Sequence, residues 1–144
     1  MIVRILISAL AISVAIAQPV TKLYKYTLKS GGTVQLDFPL YVDSKGPKIT
    51  KDVFRGYALY NSYCYRCHGT DATGGELAPD LRASLTAGMR ARKFLSVATA
   101  GNKEKGMPSW GGFLSDEDLT KIYRYVKGRS LDLVPAGRPP SELD

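Results

Sequence analysis

Apolar and polar residues alternate in two short stretches near the N-terminus, on either side of a Gly-Gly pair. Every second residue is apolar or aromatic in residues 24–28 and again in residues 34–40. A period of two around Gly31-Gly32 predicts a β-hairpin. Because an isolated hairpin is marginally stable in water, we expect it to pack against the rest of the chain. It lies in an N-terminal extension, residues 18–50, with two open roles: covering part of a core, or touching a partner.

The spacing of apolar residues becomes helical after residue 50. The stretch 52–64 carries Val53, Tyr57, Tyr60 and Cys64 on one face, and Asp52 is placed to cap a helix that begins there. Further along, composition and spacing predict a loop, a short helix and a second loop, at 69–85, 86–100 and 101–112.

The last helix has the clearest signals at its ends. Ser115 followed three residues later by Asp118 is a capping box, and Gly128 is a predicted C-terminal stop. The tail, residues 131–144, is rich in proline and should wrap the surface without regular structure. The main domain, residues 51–130, is therefore predicted to be mainly α-helical with long loops.

The first residues have the composition of an export signal. One basic residue, Arg4, precedes an uncharged apolar run over residues 5–17, which is shorter than the roughly 20 residues that span a bilayer. The run ends in small residues that suit signal peptidase, so residues 1–17 are predicted to be a signal peptide cut after Ala17. An uncleaved N-terminal anchor is the alternative.

The charge of the chain narrows the classes of partner. The 144 residues include 20 Lys and Arg against 13 Asp and Glu, for a formal net charge of +7. Loss of Arg4 with the signal peptide would leave 19 basic against 13 acidic residues, for a formal net charge of +6. The basic residues are scattered, and nucleic acid is an improbable target for an exported protein. An acidic protein partner fits better, and a merely soluble basic surface is the alternative.

The candidate chemistry is concentrated in "CYRCH", which holds both cysteines and the only histidine of the chain, Cys64, Cys67 and His68. A thioredoxin-like pair would open a helix in a βαβ setting, whereas this motif closes a helix. A zinc site would need a fourth ligand, and the chain has no other Cys or His. Covalent haem attachment remains, for which C-x-x-C-H is the signature. Two thiols on one helical turn can reach the two vinyl groups of a haem, while the imidazole points at the iron.

The second axial ligand must then come from another residue type, and methionine is the natural candidate. Met107 stands between Gly106 and Pro108, so the backbone can approach the haem closely and is stiffened just after the ligand. Met89 is predicted to lie on a helix and to serve in packing. Coordination by Lys103 or Lys105, or an open site, are the alternatives to Met107.

Taken together, residues 50–130 resemble a class I c-type cytochrome. Gly56, Tyr60 and Cys64 match that family's first helix, where the small residue admits the last helix at close range. Ile122 and Tyr125 match the facing positions of the last helix. "APDL" at 78–81 resembles the loop whose proline carbonyl accepts the histidine ring N–H, which implies this role for Pro79, and "GMPSWGG" resembles the loop of the second ligand. The resemblance implies one haem c.

A narrower resemblance points to a partner. "YNSYCYRCHG", "YRYVKGRS" and "AGRPP" are similar to segments of cytochromes that accept electrons from pyrroloquinoline-quinone (PQQ) alcohol dehydrogenases, including methanol dehydrogenases. This implies a periplasmic electron carrier rather than an enzyme, with a terminal oxidase or a further cytochrome as acceptor. A haem enzyme or gas-binding cytochrome with an open iron, and a tethered subunit of a larger oxidase, are the alternatives.

Overall fold

The structure is a computed structural model that describes residues 21–43 and 46–144. The predicted signal peptide lies outside these residues. The described elements are the strands β1 Tyr24–Thr27 and β2 Thr33–Leu36, the helices α1 Lys51–Tyr63, α2 Tyr65–His68, α3 Leu81–Thr86, α4 Ala91–Ala100 and α5 Asp116–Ser130, and 3₁₀ turns at Thr70–Ala72 and Lys103–Lys105. The mainly α class with an N-terminal hairpin is confirmed. In this part of the chain no helix is both long and apolar enough to cross a bilayer.

The hairpin pairs antiparallel and packs on the helices. Tyr24 faces Leu36 and Tyr26 faces Val34 across the two strands. Leu36 and the two alternate residues after it, Phe38 and Leu40, are buried in one core with the helices. Of the two roles that the sequence left open for the extension, the structure shows that it covers part of the core. The boundary at residue 51 stays a prediction, since the extension and the helices share that core.

The centre of the fold is the crossing of α1 and α5. A Cβ built on Gly56 would stand 1.9 Å from the backbone oxygen of Lys121, so the two helices meet backbone to backbone at this point. Tyr60 and Tyr125 pack beside the crossing with their ring centroids 5.5 Å apart, and both are fully buried. The close approach that the family resemblance implied for Gly56 is therefore present.

Two predicted features near α1 and α3 were wrong. The N-cap of α1 is Thr50, whose hydroxyl accepts from the Val53 amide at 3.5 Å, whereas Asp52 forms an ion pair with Arg124 at 2.7 Å. Residues 69–85 are not one loop, because a helix begins at residue 81. Asp80 caps it by accepting from the Ala83 amide at 2.9 Å, a signal that the surrounding Gly and Pro residues obscured.

The short helix predicted at 86–100 begins late. Helix α3 ends at residue 86, and Gly88, with φ +105°, separates it from α4, which begins at residue 91. Met89 therefore lies between two helices and not on one. Its partial burial against the core agrees with the packing role expected for it.

Helix α5 begins as predicted and ends later than predicted. The Ser115 hydroxyl accepts from the Asp118 amide at 3.0 Å, which confirms the cap. Gly128 does not stop the helix, which continues to residue 130. A Cβ on Gly128 would stand 2.5 Å from Val134 Cγ2, so this glycine makes room for the tail instead.

The tail has no helix or strand, as predicted, but part of it is buried instead of lying on the surface. Val134, Pro139 and Ser141 are fully buried. The Ile49 amide donates to the Pro140 carbonyl at 2.9 Å, and the Glu142 amide donates to the Ile49 carbonyl at 3.1 Å. The tail is therefore joined to the last residues of the extension, just before α1.

Candidate functional site

One cavity of about 300 Å³ brings together every residue that the sequence selected as a site residue. Cys64, Cys67, His68, Pro79 and Met107 all line it. Much of the remaining lining is apolar and comes from α3, α4, α5 and the loop between the last two: Leu81, Phe94, Val97, Ala98, Pro108, Leu114, Leu119 and Ile122. The site is thus a largely apolar cavity with two thiols, an imidazole and two methionine thioethers on its wall.

The two thiols and the imidazole are placed by the junction of α1 and α2. The His68 amide donates to the Cys64 carbonyl at 3.0 Å, so the motif forms a single helical turn. Gly69, with φ +74°, ends that turn. Both thiols are free; Cys67 is exposed and Cys64 is half-buried. Burial, with a smaller contribution from neighbouring Cys67, raises the pKa of the Cys64 thiol to about 12, so this thiol is protonated at neutral pH.

The orientation of His68 is fixed by a backbone carbonyl. Its Nδ1 lies 2.9 Å from the carbonyl oxygen of Pro79, where the family resemblance implied this contact. A carbonyl can only accept, so Nδ1 carries a proton, and in the neutral ring Nε2 keeps a free lone pair. The ring is 8% exposed. Such a hydrogen bond fixes the tautomer and raises the basicity of a metal-ligating histidine.

Met107 is held in a small closed loop. The amides and carbonyls of Asn102 and Met107 exchange two hydrogen bonds, each of 2.9 Å. Gly106, in the left-handed region with φ +77°, turns the chain just before the methionine. Met89 also lines the cavity, so Met107 as the iron ligand stays a prediction.

The rim of the cavity carries aromatic and apolar side chains that the sequence did not single out. Tyr63 and Leu77 line the cavity and are 37% and 75% exposed. Phe113 is 67% exposed, and its ring centroid lies 5.5 Å from that of Tyr63 and 6.1 Å from that of Trp110. These residues come together only in the tertiary structure, so no periodicity or motif in the sequence indicates them. Tyr65 and Arg66, between the cysteines, are exposed.

Comparison with known proteins identifies the family. A family model described as "Cytochrome C oxidase, cbb3-type, subunit III" matches residues 51–126, which is more than half of the chain, and the chain belongs to this family. It is a c-type cytochrome. Its cofactor is covalent haem c, and the cavity fits this group, since two free thiols and an oriented imidazole share an apolar wall.

The cytochrome is similar to parts of larger proteins. It is 34% identical over 116 residues to quinohemoprotein alcohol dehydrogenase ADH-IIG of Pseudomonas putida, a match that covers 77% of this chain and 16% of that protein. It is 35% identical over 109 residues to quinohemoprotein alcohol dehydrogenase ADH IIB of the same organism, a match that covers 70% of this chain and 16% of that protein. Cytochrome c550 of Pseudomonas aeruginosa is 35% identical over 80 residues, which cover 54% of this chain and 55% of that cytochrome. The chain thus spans a small part of the dehydrogenases and about half of cytochrome c550.

A solved structure also matches the fold. The crystal structure of the c-type cytochrome XoxG from Methylobacterium extorquens AM1 aligns with a TM-score of 0.62 and 26% identity, over 81% of this chain and 71% of that one.

The sequence similarity to the dehydrogenase ADH-IIG also includes part of the N-terminal extension. Coverage of 77% of 144 residues is about 111 residues, whereas residues 51–144 number only 94, so at least about 17 of the matched residues precede residue 51.

Proposed function

We propose that this cytochrome carries single electrons in the periplasm from a PQQ-dependent alcohol dehydrogenase, such as a methanol dehydrogenase, toward the respiratory chain. A terminal oxidase or a further cytochrome would accept them. The observation that carries the proposal is the shared cavity of Cys64, Cys67, His68 and Met107, together with relatives that are named quinohemoprotein alcohol dehydrogenases. We propose no enzymatic activity of its own for the chain.

The residues of the cavity have distinct roles in this proposal. Cys64 and Cys67 would hold the haem as thioethers, and His68 Nε2 and the Met107 sulfur would bind its iron. When bound, the haem exchanges one electron between its ferric and ferrous states. Pro79 holds the His68 ring in one orientation through the 2.9 Å hydrogen bond. With two iron ligands supplied by the chain, oxygen and peroxide would have no place to bind.

The remaining cavity residues make electron exchange favourable. The buried side chains of Phe94, Leu114 and Ile122 exclude water from the site, which favours the less charged ferrous state and raises the reduction potential. They come from α4, α5 and the loop between them, all packed in one core, so the ligands stay in place in both oxidation states. Little reorganisation then opposes the transfer.

The rim around the cavity is suited to a transient protein partner. Tyr63 and Leu77 expose apolar surface on the cavity wall, and Phe113 exposes more beside Tyr63, where another protein can exclude water at close range. The formal charge of +7, or +6 without the signal, would attract an acidic partner over long distances. The charge would thus raise the rate of encounter, and the apolar rim would form the contact.

Stopped-flow reduction by a purified PQQ-dependent dehydrogenase tests the partnership. We expect rapid reduction of the ferric cytochrome when alcohol is present, slowing as the salt concentration rises, because salt screens the charge attraction. The same enzyme without alcohol is the control. Reduction that is no faster with alcohol than without it would reject this donor. N-terminal sequencing of the exported protein tests the export prediction, with Gln18 expected as the first residue.

A further inference from the structure

A largely buried carboxylate lies just beyond the proposed iron ligand. The side chain of Asp71, three residues after His68, is 13% exposed. Its two oxygens accept from the Gly137 amide of the tail at 3.0 and 3.1 Å, and one of them accepts from the Tyr125 hydroxyl at 3.3 Å. Burial, and the nearby negative charge of Asp71, raise the pKa of Tyr125, so this hydroxyl keeps the proton that it donates.

The charge of Asp71 is balanced by one buried arginine. Arg129 of α5 is 6% exposed, and its Nε lies 3.7 Å from Asp71 Oδ1. Its Nη1 donates to the Val134 carbonyl at 2.5 Å, whereas its Nε has no hydrogen-bond partner. Asp71 is thus the ion-pair partner of a guanidinium that has almost no access to water.

This cluster fixes the turn that follows His68. Asp71 and Ala72 both have left-handed backbone angles, φ +57° and +65°, which non-glycine residues rarely adopt. Such a turn persists when its surroundings hold it in place. The Gly74 amide donates to the His68 carbonyl at 2.7 Å. A Cβ on Gly74 would stand 2.6 Å from the amide nitrogen of Asp80, so the turn packs directly on the backbone that follows Pro79.

We propose that Asp71 is a positioning residue for the His68 side of the haem site, and that the Asp71–Arg129 pair helps to set the reduction potential. Asp71 ties the turn between His68 and the Pro79 segment to α5 and to the tail. Its negative charge stabilises the ferric state, and the positive charge of Arg129 offsets that effect. This inference rests on the proposed function, because it requires a haem ligated by His68.

The two charges should act on the potential with opposite signs. In Asp71→Asn, the amide oxygen still accepts from Gly137 and Tyr125, while the buried arginine loses its counter-charge. The ferrous state is then stabilised relative to the ferric state, and the reduction potential should rise. In Arg129→Gln the carboxylate is left uncompensated, and the potential should fall. Because the double variant removes both charges, its potential should lie between those of the single variants.

The experiment is a redox titration of the full haem-loaded protein, at one pH and ionic strength, for the wild type and these three variants. Glu76→Gln is the matched control, since it removes an exposed carboxylate from the same loop and should shift the potential least. Shifts of the same sign in Asp71→Asn and Arg129→Gln, or shifts no larger than that of Glu76→Gln, would overturn the proposal and leave the cluster a purely structural role.

Tyr125→Phe tests the same effect on the reduction potential if the Asp71 and Arg129 variants do not fold with bound haem. It keeps the ring and removes one donor to the carboxylate, so the potential should fall, as in Arg129→Gln. An unchanged potential in Tyr125→Phe would overturn the proposal. If the proposed haem site itself is wrong, the wild-type protein will lack covalent haem or His68 ligation. That result is seen before any variant is compared, so it is distinct from failure of the Asp71–Arg129 proposal.

Discussion

Replacing Gly56 by alanine should destabilise the protein through a single methyl group. The added Cβ would stand 1.9 Å from the Lys121 carbonyl oxygen and 2.5 Å from its carbon, and a backbone atom cannot move aside as a side chain can. Overpacking typically costs about 1–3 kcal/mol, and alanine regains up to about 1 kcal/mol of helix propensity. Because the clash is with backbone, we expect the upper part of this range to apply, for a net loss of about 2 kcal/mol.

Thermal unfolding of the haem-loaded protein measures this loss. For a chain of this size, about 2 kcal/mol corresponds to a decrease in Tm of roughly 8 °C. Gly32→Ala is the matched control, because Gly32 has an ordinary φ and the nearest atom to its added Cβ would be Leu28 Cδ1, at 3.9 Å. If Gly56→Ala unfolded within about 0.5 kcal/mol of the wild type, the size of an ordinary surface substitution, the backbone contact between α1 and α5 would be refuted.

Three further predictions test the site and the helices that support it. Met107→Ala should abolish the methionine–ferric iron absorption band and allow rapid carbon monoxide binding to the reduced protein, whereas Met89→Ala should keep the band; the opposite result would assign the ligand to Met89. Thr50→Ala should lower the free energy of unfolding by about 1 kcal/mol through loss of the α1 cap, as measured by denaturant titration, and an unchanged midpoint would argue against the cap. Phe113→Ala should slow reduction by the dehydrogenase with an unchanged Tm, since this side chain is 67% exposed, and an unchanged rate would remove it from the partner surface.

The parts of the fold that sequence predicted well are those that local physics determines. The alternating residues around Gly31-Gly32 predicted the hairpin, and Ser115 with Asp118 predicted the start of α5, because a strand period and a capping box each act over a few residues. The spacing of Cys64, Cys67 and His68 identified the haem motif for the same reason: all three lie on one helical turn.

The features that sequence missed depend on residues far apart in the chain. Gly128 was predicted to stop α5, but it makes room for Val134 of the tail, a contact that no local pattern reports. Asp71 was not selected at all, and its partners in α5 and the tail are 54 to 66 residues away. The aromatic rim at Phe113 is likewise assembled from separate segments. Long-range packing, rather than propensity, determines each of these.

Extraction of the purified exported protein with acidic acetone tests the central claim most directly. Thioether bonds from Cys64 and Cys67 should keep the red pigment with the precipitated polypeptide, and alanine at both positions should release it or leave the protein colourless. A wild-type protein without pigment, or one that loses all its pigment to the solvent, would contradict covalent haem attachment at this site.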